Sequence, residues 1–431
     1  LSVKRSFRQH PKNMTASPLE LANSHPALCE AIAQQIAQSP QQRITFAEFM
    51  DLALYHPDYG YYVAHSQDMQ KGLQGGIQSD FFTSPHLGAD FGELLAEQFA
   101  QMWELLDRPH PFTLVEMGAG QGLIVQDVLR YLHRQHFECF EALEYIVVEK
   151  SPAMVAVQQA RLQNLTRSWG HLSWKTWDEI PSNSIIGCCF SNELVDAFPV
   201  HQIAIANGML QEIYVTAGDT EDAFTEAIAT PSTPKLAEYF DLIKLKFPAE
   251  IYPEPYRSEV NLAALDWITT VGDRLKTGYL LTIDYGYSAQ RYYSPSRAEG
   301  TLQCYYQHAH HSNPYRAIGR QDITAHVNFT ALEQQGDRCG LQTVGFTQQG
   351  LFLMALGLGD RIAGLSETGS LELRERSPQA LSLQDILRRR ESLHALINPM
   401  GLGNFGVLVQ SKGLDEALSQ PLKGLTTPPL F

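Results

Sequence analysis

The run Ser191-Asn192-Glu193-Leu194-Val195-Asp196 follows an apolar, strand-like stretch that begins near residue 185. At the carboxyl end of a central parallel strand, Asn192 and Glu193 would stand beside a ligand crevice. Glu193 and Asp196 are three residues apart, which on a helical turn puts both carboxylates on one face, suited to gripping a planar cation from two sides. Acids that merely open a helix and complement its dipole are the plainer alternative. A second stretch points to a different task. Leu114-Val115-Glu116-Met117 runs into Gly118-Ala119-Gly120-Gln121-Gly122, so a buried strand is expected to end in a turn whose glycines let backbone approach a ligand. Tyr145-Ile146-Val147-Val148-Glu149 reads as the next strand, ending in a carboxylate placed to reach ribose hydroxyls.

The third glycine comes one place too early for a dinucleotide fingerprint, and Leu123 fills the position that needs a small residue. The spacing Glu116-x-Gly118-x-Gly120-x-Gly122 therefore argues against NAD and for S-adenosylmethionine, which has no pyrophosphate to cradle. Methyl transfer from a sulfonium is an in-line displacement that needs alignment of nucleophile, methyl and sulfur, and requires neither metal nor covalent intermediate. An arginine acceptor, with a pKa above ~12, arrives protonated and calls for paired carboxylates. An uncharged acceptor would leave those acids costly to bury. His308, His310 and His311 cluster, with His326 further on, but without a supporting cysteine pair no metal site is expected. His308 or His326 could position substrate or accept a proton, and hydrogen-bonded structural histidines are the alternative. Tyr59, Tyr61, Tyr62, Tyr305 and Tyr306 either line a peptide groove or fill a core.

The elements that must position these groups read as an α/β chain. Strand candidates at 112–117, 145–149, 171–176, 185–191 and 279–284 alternate with helical stretches, as in a parallel sheet covered on both faces. Two late strands, 341–346 and 404–410, would complete a seven-stranded Rossmann-like sheet. Upstream, Leu21, Leu28, Ile32 and Ile36 recur at helical spacing, and Thr45-x-x-Glu48 is a capping box. Thr83 or Ser84 is expected to start a long helix through Phe91, Leu94, Leu95 and Phe99. The expected organisation is a flexible segment at 1–18, a helical extension and cofactor lid at 19–110, a catalytic domain at 111–411 with insertions at about 197–257 and 287–320, and a tail at 412–431. The first insertion reads as β-rich. The glycines at 72, 75 and 76 mark a mobile link.

Composition sets outer limits. The chain has 431 residues, 32 Lys and Arg against 47 Asp and Glu, and a net charge of −15, which disfavours nucleic acid as a partner. Cys29, Cys139, Cys188, Cys189, Cys304 and Cys339 show no regular spacing and read as reduced thiols of a cytosolic-type compartment. No apolar run reaches the roughly 18–20 residues that span a bilayer. Lys4, Arg5, Arg8 and Lys12 form a short basic start, for which a bacterial, cytoplasmic chain is the first expectation and a mitochondrial matrix location the second.

Several ordered segments carry a resemblance. Asp80-Phe81-Phe82-Thr83-Ser84-Pro85, Phe91-Gly92-Glu93, Val115 through Gly122, Ser191-Asn192-Glu193 through Pro199-Val200, Thr282-Ile283-Asp284-Tyr285-Gly286 and Asp322 through Val327 together resemble the MidA family of class I methyltransferases. The resemblance implies a Rossmann-like enzyme using S-adenosylmethionine. Mitochondrial members of that family methylate arginine on a core subunit of respiratory complex I and assist its assembly, forming symmetric dimethylarginine. Carried onto this chain, the resemblance implies Gly118, Gly120, Gly122 and Glu149 for the cofactor, with Thr83, Ser84 and Pro85 closing over it and Asn192-Glu193 at the reaction centre; Glu116 and Asn192 are further cofactor candidates. Beside it, Glu193 and Asp196 are the catalytic candidates, and Tyr62, Asp284, His308 and His326 are candidates for the substrate side. The protein substrate would be a complex I-type subunit. The alternatives are a small-molecule N- or O-methyltransferase, and an assembly factor that binds the cofactor without turnover.

Overall fold

The computed structural model describes residues 23–64, 66, 83–206, 208–218, 224–307, 309–368, 383–414 and 420–428. The expected flexible start at 1–18, the glycines at 72–76, Asp80-Phe81-Phe82 and His308 lie outside the described residues. The chain divides into two units. One comprises residues 1–64, 199–262 and 290–325, and the other 65–198, 263–289 and 326–431.

The second unit carries the expected sheet. Among the described residues its strands are β1 (Phe112–Met117), β2 (Leu143–Val148), β3 (Leu172–Trp174), β4 (Ile185–Asn192), β5 (Leu275–Asp284), β6 (Gln342–Gln348) and β7 (Gly406–Lys412). Their order is β3-β2-β1-β4-β5-β7-β6, with β7 antiparallel to both neighbours and the other pairings parallel. The strands read as continuous apolar runs because alternate residues enter separate cores on the two faces. Phe112 and Leu114 of β1, Phe190 of β4 and Leu281 of β5 join one core. Val115 and Met117 of β1, Cys189 of β4 and Leu280 of β5 join the other.

Seven helices of this unit matter for the site: α1 (Asp90–Leu105), α2 (Leu123–Gln135), α3 (Pro152–Trp169), α4 (Phe329–Arg338), α5 (Gln349–Ala355), α6 (Leu358–Thr368) and α7 (Leu383–Ile397). The start of the long helix differs from expectation. Thr83 precedes a short 3-10 turn, Ser84–Leu87, without a side-chain cap, and α1 begins only at Asp90 after Gly88 with φ 136°. Asp90 is buried and accepts two hydrogen bonds from Arg389 of α7, at 2.9 and 2.7 Å, and one of 2.7 Å from Arg361 of α6. These charge-assisted bonds tie the late helices to the first. Burial raises the Asp90 pKa, but the two guanidinium groups outweigh it and the net direction is downward.

In the first unit, Thr45 and Glu48 form the expected capping box of the helix Phe46–Tyr55. The strand Arg43–Thr45 pairs antiparallel with Met209–Ala217, which also pairs with His201–Ala206 and Phe224–Ala229, and Tyr256–Val260 completes a five-stranded sheet. Leu28, Phe49, Val215, Phe224 and Tyr315 belong to its core. The strand Gln303–Tyr306 pairs with Ala309–His311 and Asp322–Thr324 in a small second sheet. The six cysteines are all free thiols, four of them buried and Cys29 and Cys339 half-buried.

Candidate active site

The glycine turn follows β1 directly. Gly118, Gly120 and Gly122 all have left-handed backbone, with φ of 69°, 50° and 75°, which accounts for three glycines in five residues. A Cβ at Gly118 would lie 2.6 Å from Leu194 Cδ1, and one at Gly122 would lie 3.0 Å from Leu162 Cδ1 of α3. A Cβ at Gly120 would meet nothing within 4 Å among the described residues. The two outer glycines thus admit protein side chains, and the middle one faces open space.

Two acids flank the turn. Glu116, on β1, is 2% exposed and accepts a 2.6 Å hydrogen bond from the Tyr145 hydroxyl of β2. Burial pushes its carboxyl up to about 8, with the nearby Glu149 charge adding to the shift. Glu149, just past β2, accepts from the Ser151 backbone N–H at 3.0 Å and from Gln158 Nε2 at 3.1 Å. Burial also raises its pKa. Gln158 escaped the sequence reading. Its Nε2 also donates to the Gly120 carbonyl at 2.9 Å, and its Oε1 accepts from Trp174 Nε1 at 2.9 Å. The available signal was a glutamine on the buried stripe of α3 with Met154, Val157 and Leu162.

At the end of β4 the geometry departs from the expected helical turn. The turn is a 3-10 segment, Val195–Ala197, and Glu193 lies outside it with left-handed φ of 51°. A non-glycine residue in that conformation is strained and signals a local constraint. Glu193 Oε1 accepts from Asn192 Nδ2 at 3.2 Å and from the Ser84 backbone N–H at 3.4 Å. Asp284 lies at the end of the neighbouring β5, fully buried. Its Oδ2 accepts from the backbone N–H groups of Leu194, Val195 and Asp196 at 3.2, 2.9 and 3.3 Å, and its Oδ1 from that of Tyr285 at 2.9 Å. Asp284 therefore shapes the turn that carries the other two acids. Burial and the charge of Asp196 raise the Glu193 pKa to about 8. Burial raises that of Asp196 to about 6, with the Tyr285 hydroxyl opposing. Asp284 is pushed well above the carboxylate range by burial and by Asp196 and Glu193. Asn192 Oδ1 is a buried acceptor without a hydrogen-bond partner among the described residues.

The remaining predicted residues divide. His326 stacks on Tyr287 at 5.1 Å and meets Tyr285 edge-on at 5.0 Å, so it borders the β5 end through aromatic packing. Tyr62 belongs to the first unit, where it stacks on Tyr55 and donates to Asp322 at 3.5 Å. Ser84 is fully buried, and its hydroxyl pairs with the Gln349 amide of α5. Thr83 pairs with His86. Pro85 lies between them in the 3-10 turn. Among the described residues no group of three His, Cys, Asp or Glu is arranged to hold a metal ion.

Residues 94–347 match the model of a protein family described as "Putative S-adenosyl-L-methionine-dependent methyltransferase". The chain belongs to that family. This methyltransferase is 26% identical over 373 residues to the Drosophila melanogaster protein named "Protein arginine methyltransferase NDUFAF7 homolog, mitochondrial", covering 80% of this chain and 78% of the relative. It is 28% identical to the Caenorhabditis elegans protein of the same name, covering 83% and 81%. A crystal structure from Burkholderia thailandensis, bound to S-adenosyl-homocysteine, superposes with a TM-score of 0.76 at 29% identity over 94% of this chain and 96% of that one. The strand order and these matches establish a class I methyltransferase fold and S-adenosylmethionine as the cofactor. A turn that opens at Gly120 and is bordered by the half-buried carboxylate of Glu149 fits such a cofactor.

Proposed function

We propose that this methyltransferase methylates arginine on a protein substrate, such as a subunit of a respiratory complex I-type enzyme. The observation that carries the reading is a turn crowded with buried carboxyl groups: burial raises the pKa of Glu193, Asp196 and Asp284, and the charge of Asp196 raises those of the other two further. A further acceptor atom there, Asn192 Oδ1, is buried and has no hydrogen-bond partner among the described residues. A guanidinium brings a full charge and five N–H donors in one plane, and so satisfies such a site where a neutral acceptor would leave it desolvated. The names of the relatives point the same way.

In this reading Gly118, Gly120, Gly122, Glu116, Glu149 and Asn192 form the cofactor cradle, bordered by Thr83, Ser84 and Pro85. Bound S-adenosylmethionine would supply an electrophilic methyl group on a sulfonium, whose S–CH3 bond breaks as the new bond forms, with the electron pair kept by sulfur in the departing S-adenosylhomocysteine. Glu193 and Asp196 accept N–H bonds from the guanidinium, fix its plane and hold its charge on the nitrogens that face them. The remaining nitrogen becomes the nucleophile. As its new N–C bond forms, the guanidinium must release a proton. Glu193 receives that proton in its ionised form, which prevails above its pKa of about 8. Asp284, with both oxygens committed to backbone N–H groups, acts as a positioning residue. Six unpaired cysteines suit a cytoplasm or a mitochondrial matrix.

The test is transfer of labelled methyl from S-adenosylmethionine to protein and to metabolite fractions, with Glu193→Gln as control. Label in arginine of a protein, lost in the variant, supports the reading. Label confined to small molecules removes it.

A further inference from the structure

A line of hydrogen bonds crosses the top of the glycine turn. Arg161 Nη2 of α3 donates to Gln121 Oε1 at 2.9 Å, Gln121 Nε2 lies 3.1 Å from His86 Nε2, and His86 Nδ1 lies 2.8 Å from Thr83 Oγ1. Its direction follows from one end. Arginine can only donate, so the Gln121 amide must turn its oxygen to Arg161 and its NH2 to His86. His86 Nε2 must then accept, which leaves the ring proton on Nδ1 to be donated to Thr83. The 3-10 turn held by this line reaches the reaction centre at its other end, where the Ser84 backbone N–H donates to Glu193 at 3.4 Å. Gln121 sits between Gly120 and Gly122, so a single short segment joins the glycine turn to the carboxylate turn.

We propose that His86, Gln121 and Arg161 are positioning residues that lock the Thr83–Leu87 turn onto the glycine turn, and so hold the cofactor cradle and Glu193 in fixed relation. The proposal rests on the reading of the glycine turn as the cradle. The line works as a unit. Loss of any member frees the same segment, so a second loss adds little. His86 must be neutral and protonated on Nδ1, because a proton on Nε2 would face the Gln121 NH2 donor against donor.

The test is calorimetric titration of the full-length protein with S-adenosylhomocysteine. His86→Ala and Gln121→Ala are each expected to weaken binding about tenfold, as the loss of one coupled hydrogen-bond line would. The double variant is expected to bind no more than about twofold worse than either single one. His86→Gln, whose side-chain oxygen can take the place of Nε2 as acceptor from Gln121, should recover most of the affinity, a rescue that a general packing role for the ring would not give. An imidazole 15N spectrum of the wild type at pH 8 should place the His86 proton on Nδ1. Wild-type affinity in both single variants, losses that add in the double variant, or a proton on Nε2 would overturn the proposal. Failure of the wild-type protein to bind S-adenosylhomocysteine would instead overturn the cradle reading on which it rests.

Discussion

Gln158 and Glu149 share a 3.1 Å hydrogen bond, and the same Gln158 nitrogen lies 2.9 Å from the carbonyl of Gly120. One amide group thus fixes the acid at the end of β2 against the middle of the glycine turn, the two parts of the chain expected to meet a nucleoside. Trp174 Nε1 donates to the Gln158 oxygen and leaves the amide a single orientation.

Gln158→Leu should therefore weaken S-adenosylhomocysteine by about tenfold and lower stability by about 1–3 kcal/mol, because Trp174 Nε1 and the Gly120 carbonyl both lose a partner. Gln158→Glu should be worse in both respects, since it sets a second carboxylate against Glu149. Calorimetric titration and thermal unfolding of the two variants check this. Wild-type affinity in Gln158→Leu would show that Glu149 is held by Ser151 alone.

Glu193 can take up the substrate's proton only when ionised, and its carboxyl is raised to about 8 by burial and then by Asp196. With the proton bound below that value, kcat/KM should climb with pH and level off above about 8. Asp196→Asn removes the like charge, lowers the Glu193 pKa and should shift the midpoint to lower pH, whatever it does to the plateau. Glu193→Gln should remove turnover and leave S-adenosylhomocysteine binding within a few-fold of wild type. A pH profile unmoved by Asp196→Asn would falsify the assignment of the rising limb to Glu193.

Much of this was legible in the sequence because it depends on local pattern. The glycines at 118, 120 and 122 each need left-handed backbone, and the apolar runs of β1, β4 and β5 mark strands covered on both faces. The capping box at Thr45 and Glu48 is a contact within four residues. The expectation for Glu193 and Asp196 failed in its geometry, because Asp284, ninety residues away in the chain, draws three successive N–H groups toward its own carboxylate and leaves Glu193 outside the 3-10 turn. Thr83 and Ser84 are both residue types that start helices, but the Thr83 hydroxyl is taken by His86 and that of Ser84 by Gln349. Gln158 looked like an ordinary helix residue, and only the approach of β2 and the glycine turn gives it a role. Long-range hydrogen bonds leave little trace in spacing.

Glu116 offers a stability test independent of turnover. Its folded pKa is about 8, above the ordinary glutamate value, so the folded state holds a proton that the unfolded chain has released. That contribution is complete below the unfolded value of roughly 4.3 and is lost as pH rises through the folded pKa near 8. Glu116→Gln keeps an acceptor for the Tyr145 hydroxyl and removes the titration. The variant should match wild type at about pH 4 and exceed it at pH 9 by several kcal/mol, and by no less than about 1 kcal/mol, read from the midpoint of thermal or urea unfolding at each pH. An equal pH dependence in the two proteins would mean that Glu116 is ionised in the fold.

Gly118 and Gly120 separate backbone strain from occupancy. Both have positive φ, so alanine at either costs roughly 1–2 kcal/mol from conformation alone. At Gly118 the new Cβ also meets Leu194 Cδ1 at 2.6 Å, next to the N–H groups that Asp284 gathers, so Gly118→Ala should lower stability and disturb the carboxylate turn together. At Gly120 it meets no atom of the described residues within 4 Å. Gly120→Ala should accordingly fold with only the conformational penalty, and the larger Gly120→Val should lose S-adenosylhomocysteine binding by far more than its loss of stability accounts for. The comparison requires unfolding midpoints and calorimetric affinities for all three variants. If Gly120→Val binds as wild type does, the open space at Gly120 is not where the cofactor lies; if its binding falls only as far as its stability, backbone strain alone explains the glycine.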